Sequence, residues 1–442
     1  MLFFVSINYR AGIAIDHSNQ TGENNKKRKP IFIAAILFNV LILCFFKYFN
    51  MIISLGEIFS TNKGNTRAIL DALFKFDETS SFSLKHQIVL PLAISFTVFQ
   101  TISYLADIYK GTIKAERNLL NYSLYIFFFP QLVQGPIMRY KDLGTQILSR
   151  NHSLNRFAYG VQRFSYGLAK KIIIADTLGL TANKIWAVPV LDLYTSEAWL
   201  GIILFTMQIY FDFSGYTDMA VGIGSMFGFI ITENFNYPYT SLSVQEFWRR
   251  WHISLSSWFR DYIYIPLGGN RKGAFRTYLN LLIVFLVTGI WHGANLNFIC
   301  WGLYFAVLNI IERLFLGNLL KKNPIKILNW MYCIFAVMMG WVLFRAPNLY
   351  HAVNYYHVLF RYVPEKVGTS IVSYFNADLL LALFGGVLTL GSLQRVLKKI
   401  YDSVDGTISF TVIRMVYGSA LFMWSIMLLM NGTYNPSIYG NF

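Results

Sequence analysis

Of the seven histidines in this chain, two stand in places where an ionisable side chain needs a reason. His252 lies in a basic, tryptophan-rich stretch, FWRRWHISLSSWFRDYIYIPLGGNRKG (residues 247–273). His292 closes an apolar run over residues 277–291. Imidazole exchanges a proton near neutral pH, and an ionisable group within an apolar chain is a functional-site candidate by default. Each has a plainer alternative: an interfacial hydrogen bond for His252, a hydrogen bond between helices for His292. Arg249, Arg250 and Arg260 supply cations near His252, with Asp261 as a partner. Residues 268–273, GGNRKG, form either a phosphate cradle with Lys272 as its point charge or a basic turn, and lack Walker spacing. Asp212 and Asp218 bring two carboxylates to the end of another apolar run. They are read as structural partners of those arginines, with substrate positioning as the alternative; nothing else resembles a sugar-cleaving carboxylate pair. Cys44, Cys300 and Cys333 sit singly in apolar runs without metal-ligand spacing, so they are read as core residues and no metal site is expected. Cys300 as an acyl-carrying nucleophile lacks an activating base nearby in sequence.

Two elements must position the histidines. Ser243 and Glu246 fit a capping box, with Leu242 and Phe247 as its hydrophobic staple. The pattern predicts a helix from Val244 to about Pro266. Trp248, His252 and Ser256 recur every fourth residue and would share a face, beside a stripe of Phe247, Trp251 and Leu255. So charged a helix cannot span lipid alone, so it lines a polar cavity or lies at an interface. The second element is the apolar helix over 277–291. It delivers His292 about 22 Å from its start, inside a hydrocarbon layer about 30 Å thick. Gly289 and Gly293 flank His292 at the spacing that lets backbones approach. Asn295 and Asn297 follow, and irregular chain at this depth is tolerated only where it is buried in protein or lines a cavity.

The rest of the chain sets the frame. Of its 442 residues 55% are hydrophobic and only 14% charged, against about 25% charged in soluble domains; the mean hydropathy is +0.44. Long apolar runs exclude a transmembrane barrel, whose segments alternate. The net charge of +16 is gathered between apolar runs, which points to topology and anionic lipid rather than nucleic acid. No convincing signal-peptide cleavage site is visible. Residues 1–15 are short for a span. Residues 16–30 read as a polar loop, and Lys26, Lys27, Arg28 and Lys29 place it in the cytoplasm. Spans are expected at 31–49, 86–109, 199–213, 277–291, 296–316, 327–344, 379–397 and 410–430. Residues 51–85 would be extracytoplasmic and 139–171 an amphipathic cytoplasmic surface. Residues 119–135 would break inside the membrane, and glycine-rich 216–231 would form a further half-helix. The expected fold is all-α: one membrane-embedded domain over 1–442, a polytopic bundle with broken and re-entrant helices around a central tunnel.

Five segments together resemble the membrane-bound O-acyltransferase family, in its bacterial alginate O-acetyltransferase-like branch. They are PQLVQGPIMRY (130–140), IYFDFSGYTDMAVGIG (209–224), ENFNYPY (233–239), residues 247–273 as above, and GIWHGANLNFICWGLY (289–304). The resemblance runs from about His86 to the final YNPSIYGNF. Its IPLGGN and WHG contexts are nearer the alginate and peptidoglycan O-acetylating members than the D-alanyl-transferring ones. Family members usually begin with further apolar segments, so the N-terminus is expected to be either short relative to them or assigned to the wrong start.

The resemblance implies a multi-pass acyltransferase of the cell (inner) membrane. It implies His292 as the essential catalytic residue and His252 as the second active-site histidine. It further implies no bound cofactor and an acyl thioester donor, acetyl-CoA, reached from the cytoplasm. The acceptor would be a hydroxyl of an exported or cell-envelope polysaccharide, or an extracytoplasmic acetyltransferase partner that relays the group. His292 would serve as general base, and His252 or an arginine as donor to the oxyanion. Arg249, Arg250 and Lys272 would meet the CoA phosphates, with Trp248, Ser256 and Asn295 completing the donor site. Two other classes fit the broken helices and basic loops: a transporter or channel, although no internal repeat is visible, and a non-catalytic scaffold of a polysaccharide export complex.

Overall fold

The computed structural model describes residues 1–20, 25–62, 65–77, 91, 93–293, 295–362, 371–391 and 407–432. These form helices, and no strand is present among the described residues. In order they are α1 (Leu2–Gln20), α2 (Asn25–Thr61), α3 (Thr66–Phe74), α4 (Ile94–Lys110), α5 (Leu119–Ile126), α6 (Tyr140–Leu148), α7 (Leu154–Ala169), α8 (Thr177–Trp186), α9 (Thr195–Met226), α10 (Val244–Arg250), α11 (Ile253–Phe259), α12 (Ala274–His292), α13 (Leu296–Ile311), α14 (Gly317–Lys322), α15 (Lys326–Arg345), α16 (Leu349–Phe360), α17 (Ala377–Thr389) and α18 (Ile408–Met430).

Among the described residues six stretches are long and apolar enough to cross a membrane: Lys27–Thr61, Thr195–Met226, Ala274–His292, Leu296–Lys322, Lys326–Arg345 and Thr411–Met430. They match the expected spans that begin near 31, 199, 277, 296, 327 and 410. The protein is therefore an all-α, multi-pass membrane protein. The span expected over 86–109 is represented by α4, and its first residues lie outside the described ones. The one expected over 379–397 is represented by α17, a shorter apolar helix; its end also lies outside, as do residues 433–442. The break expected in 119–135 is present: α5 stops at Ile126 and a single 3₁₀ turn, Phe129–Gln131, follows.

α9 is the central pillar. Of its most apolar stretch 89% is buried within the protein, as for a helix apolar all round. The corresponding fractions are 17% for α2 and 28% for α12, so these two form part of the lipid-facing rim. The glycines of α9 are contact points. A Cβ on Gly215 or on Gly222 would stand 2.7 Å from the carbonyl oxygen of Gly167 or Gly160 on α7. The two backbones thus touch twice, at the same spacing on both helices. No separate half-helix exists over 216–231, because α9 runs unbroken to Met226. α12 and α13 form a hairpin that crosses where Gly289 meets Gly302. A Cβ on either would lie 3.4 Å from the other's Cα.

Two expectations about charge are corrected. Asp212 and Asp218 are structural, as read, but their partners come from α7 and the widened π turn after it, not from Arg249, Arg250 or Arg260. Asp218 binds Arg163 and Lys170, each at 2.6 Å. Lys171 bridges Asp176 at 2.6 Å and Asp212 at 2.7 Å. Such burial is tolerable only because each charge is paired. The second correction concerns residues 16–30. Instead of one polar loop, α1 continues to Gln20 and α2 begins at Asn25 with Pro30 inside it. Tertiary contacts make this possible: Asp16 pairs with Arg117 at 2.7 Å, and the Arg28 guanidinium sits 4.5 Å over the Tyr109 ring.

Candidate active site

His292 is the last residue of α12, and α13 resumes at Leu296. The side chain is buried. Trp301 of α13 and Phe344 of α15 meet it edge to face, with ring centroids at 5.0 and 5.1 Å. The asparagines after it fix the break. The Asn295 amide donates to the Pro347 carbonyl at 2.9 Å. The Asn297 amide donates to Leu343 and Ala346 at 3.0 and 2.8 Å. Asn295 is therefore buried beside His292 as a tether between the start of α13 and the end of α15.

The end of α12 is held from the other side by α2. Helix C-termini leave carbonyls without intrahelical donors. The Tyr48 hydroxyl donates to the Ile290 carbonyl at 2.5 Å, and the buried Lys47 ammonium donates to the Trp291 carbonyl. Lys47 also lies 5.4 Å over the Trp291 ring. Sequence reasoning passed over Lys47. Its signal was a lysine inside the apolar run 31–49, which called for the same suspicion as the two histidines.

His252 is placed by a different device. The single helix expected from Val244 to Pro266 is two. α10 ends at Arg250, α11 begins at Ile253, and His252 between them has φ 45° and ψ 55°, a left-handed conformation. Trp248, His252 and Ser256 thus share no helical face; the Ser256 hydroxyl donates instead to the Trp248 carbonyl at 3.2 Å. The segment containing Asn234 holds the break open from both sides. Asn236 N–H donates to the Arg250 carbonyl at 3.0 Å, and Ile253 N–H to the Asn234 carbonyl at 2.9 Å. The Asn234 side-chain oxygen accepts from Ser254 N–H at 3.1 Å and from the Ser254 hydroxyl at 2.9 Å. It also lies 3.1 Å from His252 Nδ1. Phe213 of α9 packs edge-on at 4.8 Å from the imidazole. Burial pushes the His252 pKa down to about 3, so the ring is neutral at physiological pH.

The start of α10 is capped as the sequence suggests: the Ser243 hydroxyl accepts from Glu246 N–H at 3.1 Å. The Glu246 carboxylate, however, reaches Leu242 N–H at 2.8 Å rather than the cap residue. A second, unforeseen carboxylate completes the end. Glu312, buried at the C-terminal end of α13, accepts from Val244 N–H at 2.6 Å and Gln245 N–H at 2.9 Å. Its charge complements the positive end of the α10 dipole.

Each imidazole is held by aromatic rings, His292 by Trp301 and Phe344 and His252 by Phe213. Further aromatic rings surround them. Trp248 is 5.6 Å from Trp301, and Trp251 is 5.0 Å from Trp341, which in turn is 5.6 Å from Phe344. The remaining expected residues are dispersed. Arg250 pairs with Glu246 at 2.6 Å. Arg249 and Lys272 are exposed, Lys272 on a turn closed by the Asn280 amide at 2.9 Å from the Gly269 carbonyl. An open groove of about 840 Å³ lies between α3, at Arg67, Asp71 and Phe74, and Leu296, the first residue of α13.

Known proteins resemble this chain over most of its length. The model of the membrane-bound O-acyltransferase family matches residues 113–356, a segment that contains both histidines. A probable alginate O-acetylase of Pseudomonas putida is 38% identical over 452 residues, covering 98% of this chain and 88% of the relative. A peptidoglycan O-acetyltransferase of Helicobacter pylori is 36% identical, covering 79% of this chain and 67% of the relative. A teichoic acid D-alanyltransferase of Bacillus subtilis is 28% identical, covering 63% and 78%.

Proposed function

From the premise that the chain belongs to the membrane-bound O-acyltransferase family and is an acyltransferase, we propose that it moves an acetyl group from acetyl-CoA, a cytoplasmic thioester, to a hydroxyl outside the cell membrane. The acceptor is an exported or cell-envelope polysaccharide, alginate-like or peptidoglycan, or an extracytoplasmic acetyltransferase partner that relays the group to it. The support is the likeness to acetylating relatives of both polymers. The observation that carries the reading is His292 itself, an imidazole buried at the break between two membrane helices. A passage joining the two sides of the membrane would meet there, narrow enough to keep water from hydrolysing the donor.

The chemistry follows from this placement. His292 takes the proton of the acceptor hydroxyl as its oxygen attacks the thioester carbonyl carbon. The carbonyl electrons move to oxygen, and the Lys47 ammonium brings positive charge to the neighbourhood of that oxyanion. Collapse re-forms the carbonyl and expels the thiolate, which leaves with the proton His292 received. Arg249 and Lys272, exposed and cationic, are assigned to the CoA phosphates. Radiolabelled acetyl transfer from acetyl-CoA across proteoliposomes tests the function. Transfer into an external polysaccharide supports it; uptake of a solute with no acetyl transfer favours a transporter instead.

A further inference from the structure

Asn234 meets Ile253 N–H with its carbonyl and His252 Nδ1 with its side-chain oxygen, and the pattern of donors fixes the imidazole tautomer. Ser254 N–H can only donate, so the Asn234 atom it meets at 3.1 Å is the amide oxygen. That oxygen can only accept. The 3.1 Å contact with His252 Nδ1 therefore places the imidazole proton on Nδ1 and leaves the lone pair on Nε2. The Nε2 atom is fully buried and has no hydrogen-bond partner among the described residues. A buried acceptor without a donor calls for an explanation, often a functional one. A flip of the ring would break the Asn234 contact at Nδ1. The left-handed backbone at His252 depends on the same residue, through the 2.9 Å hydrogen bond from Ile253 to the Asn234 carbonyl.

We propose that Asn234 is the positioning residue of this site: it holds His252 as the Nδ1–H tautomer, so that Nε2 offers its lone pair to an O–H donor entering beside His292. The inference rests on the reading of His252 as an active-site residue. It has a consequence for roles. In its resting form His252 accepts a hydrogen bond, so the oxyanion takes its donor from another group, and the hydroxyl to be acylated is oriented by two imidazoles rather than one.

The test has two arms. Solid-state ¹⁵N NMR of the full-length, histidine-labelled protein in bilayers reads the tautomer directly, the His252 signals being those lost in H252Q. A protonated Nδ1 with an unprotonated Nε2 is the expected signature; a protonated Nε2 in the resting protein overturns the proposal. In proteoliposome assays, N234A lowers kcat about tenfold to a hundredfold with KM little changed, and N234D restores much of it, because aspartate keeps an acceptor oxygen. N234A at wild-type kcat, with H252Q inactive, overturns the role of Asn234 alone. H252Q at wild-type kcat overturns the reading of His252 on which it rests.

Discussion

The Lys47 ammonium donates a hydrogen bond to the main-chain carbonyl of Trp291, joining residues 244 positions apart. It thereby ties α2, which precedes the family-matched segment 113–356, to the residue next to His292. A cation at a helix C-terminus complements the dipole, and here it also supplies charge beside the proposed base.

Replacing Lys47 removes both contributions. A hydrogen bond to a charged group is worth about 1.5–3 kcal/mol. K47M is expected to lower acetyl transfer by about tenfold or more at unchanged protein level in the membrane, and K47R to retain part of the activity. Initial rates in proteoliposomes, normalised to inserted protein, provide the check. Wild-type turnover in K47M would remove Lys47 from the mechanism.

The buried charges around α9 should respond asymmetrically. Lys171 and its partners Asp176 and Asp212 have side chains 7%, 3% and 2% exposed. K171M removes the ammonium that two buried carboxylates share and is expected to cost about 3–5 kcal/mol. The exposed Lys75–Asp71 pair, 52% and 60% exposed, is worth about 0–1 kcal/mol, so K75M should be nearly silent. Thermal unfolding of the two variants in detergent distinguishes them; equal midpoints would contradict the structural role given to Lys171.

The α12–α13 hairpin depends on the Gly289–Gly302 crossing. G302V should separate the helices, displace His292 and abolish transfer. A Cβ added to Gly56 on α2 would meet nothing within 4 Å, so G56A serves as a neutral control. Activity and crosslinking between cysteines placed on α12 and α13 report the outcome, and an active, normally crosslinked G302V would refute the close approach.

What the sequence revealed and what it hid have physical reasons. Long apolar runs made most spans legible, because a membrane helix must satisfy its backbone within one segment. The break after His292 was legible from Gly293 and the polar residues behind it. The break at His252 was not. No glycine or proline marks it, the local period is helical, and the left-handed turn is imposed by hydrogen bonds with Asn234, which accepts from Ile253, and Asn236, which donates to Arg250; no local pattern announces them. Likewise the carboxylates of α9 were visible, but their partners on α7 depend on a crossing set by glycine pairs. Lys47 was visible as a residue, and its relation to His292 was a matter of tertiary structure alone.

Topology is a separate prediction. The basic cluster Lys26–Lys29 should face the cytoplasm. In a background lacking Cys44, Cys300 and Cys333, a cysteine at exposed Lys29 should react with a membrane-impermeant thiol reagent only after the cells are opened. Labelling in intact cells would reverse the orientation and with it the side from which the donor arrives.

The proposed mechanism turns on His292 as the proton acceptor of acyl transfer. Single-turnover transfer of radiolabelled acetyl from acetyl-CoA by H292A in proteoliposomes measures that role, at a membrane level and unfolding midpoint equal to wild type. The expected loss is about 10²–10⁴-fold, the range for removal of a general base. A folded, inserted H292A that transfers acetyl at near wild-type rate would contradict it.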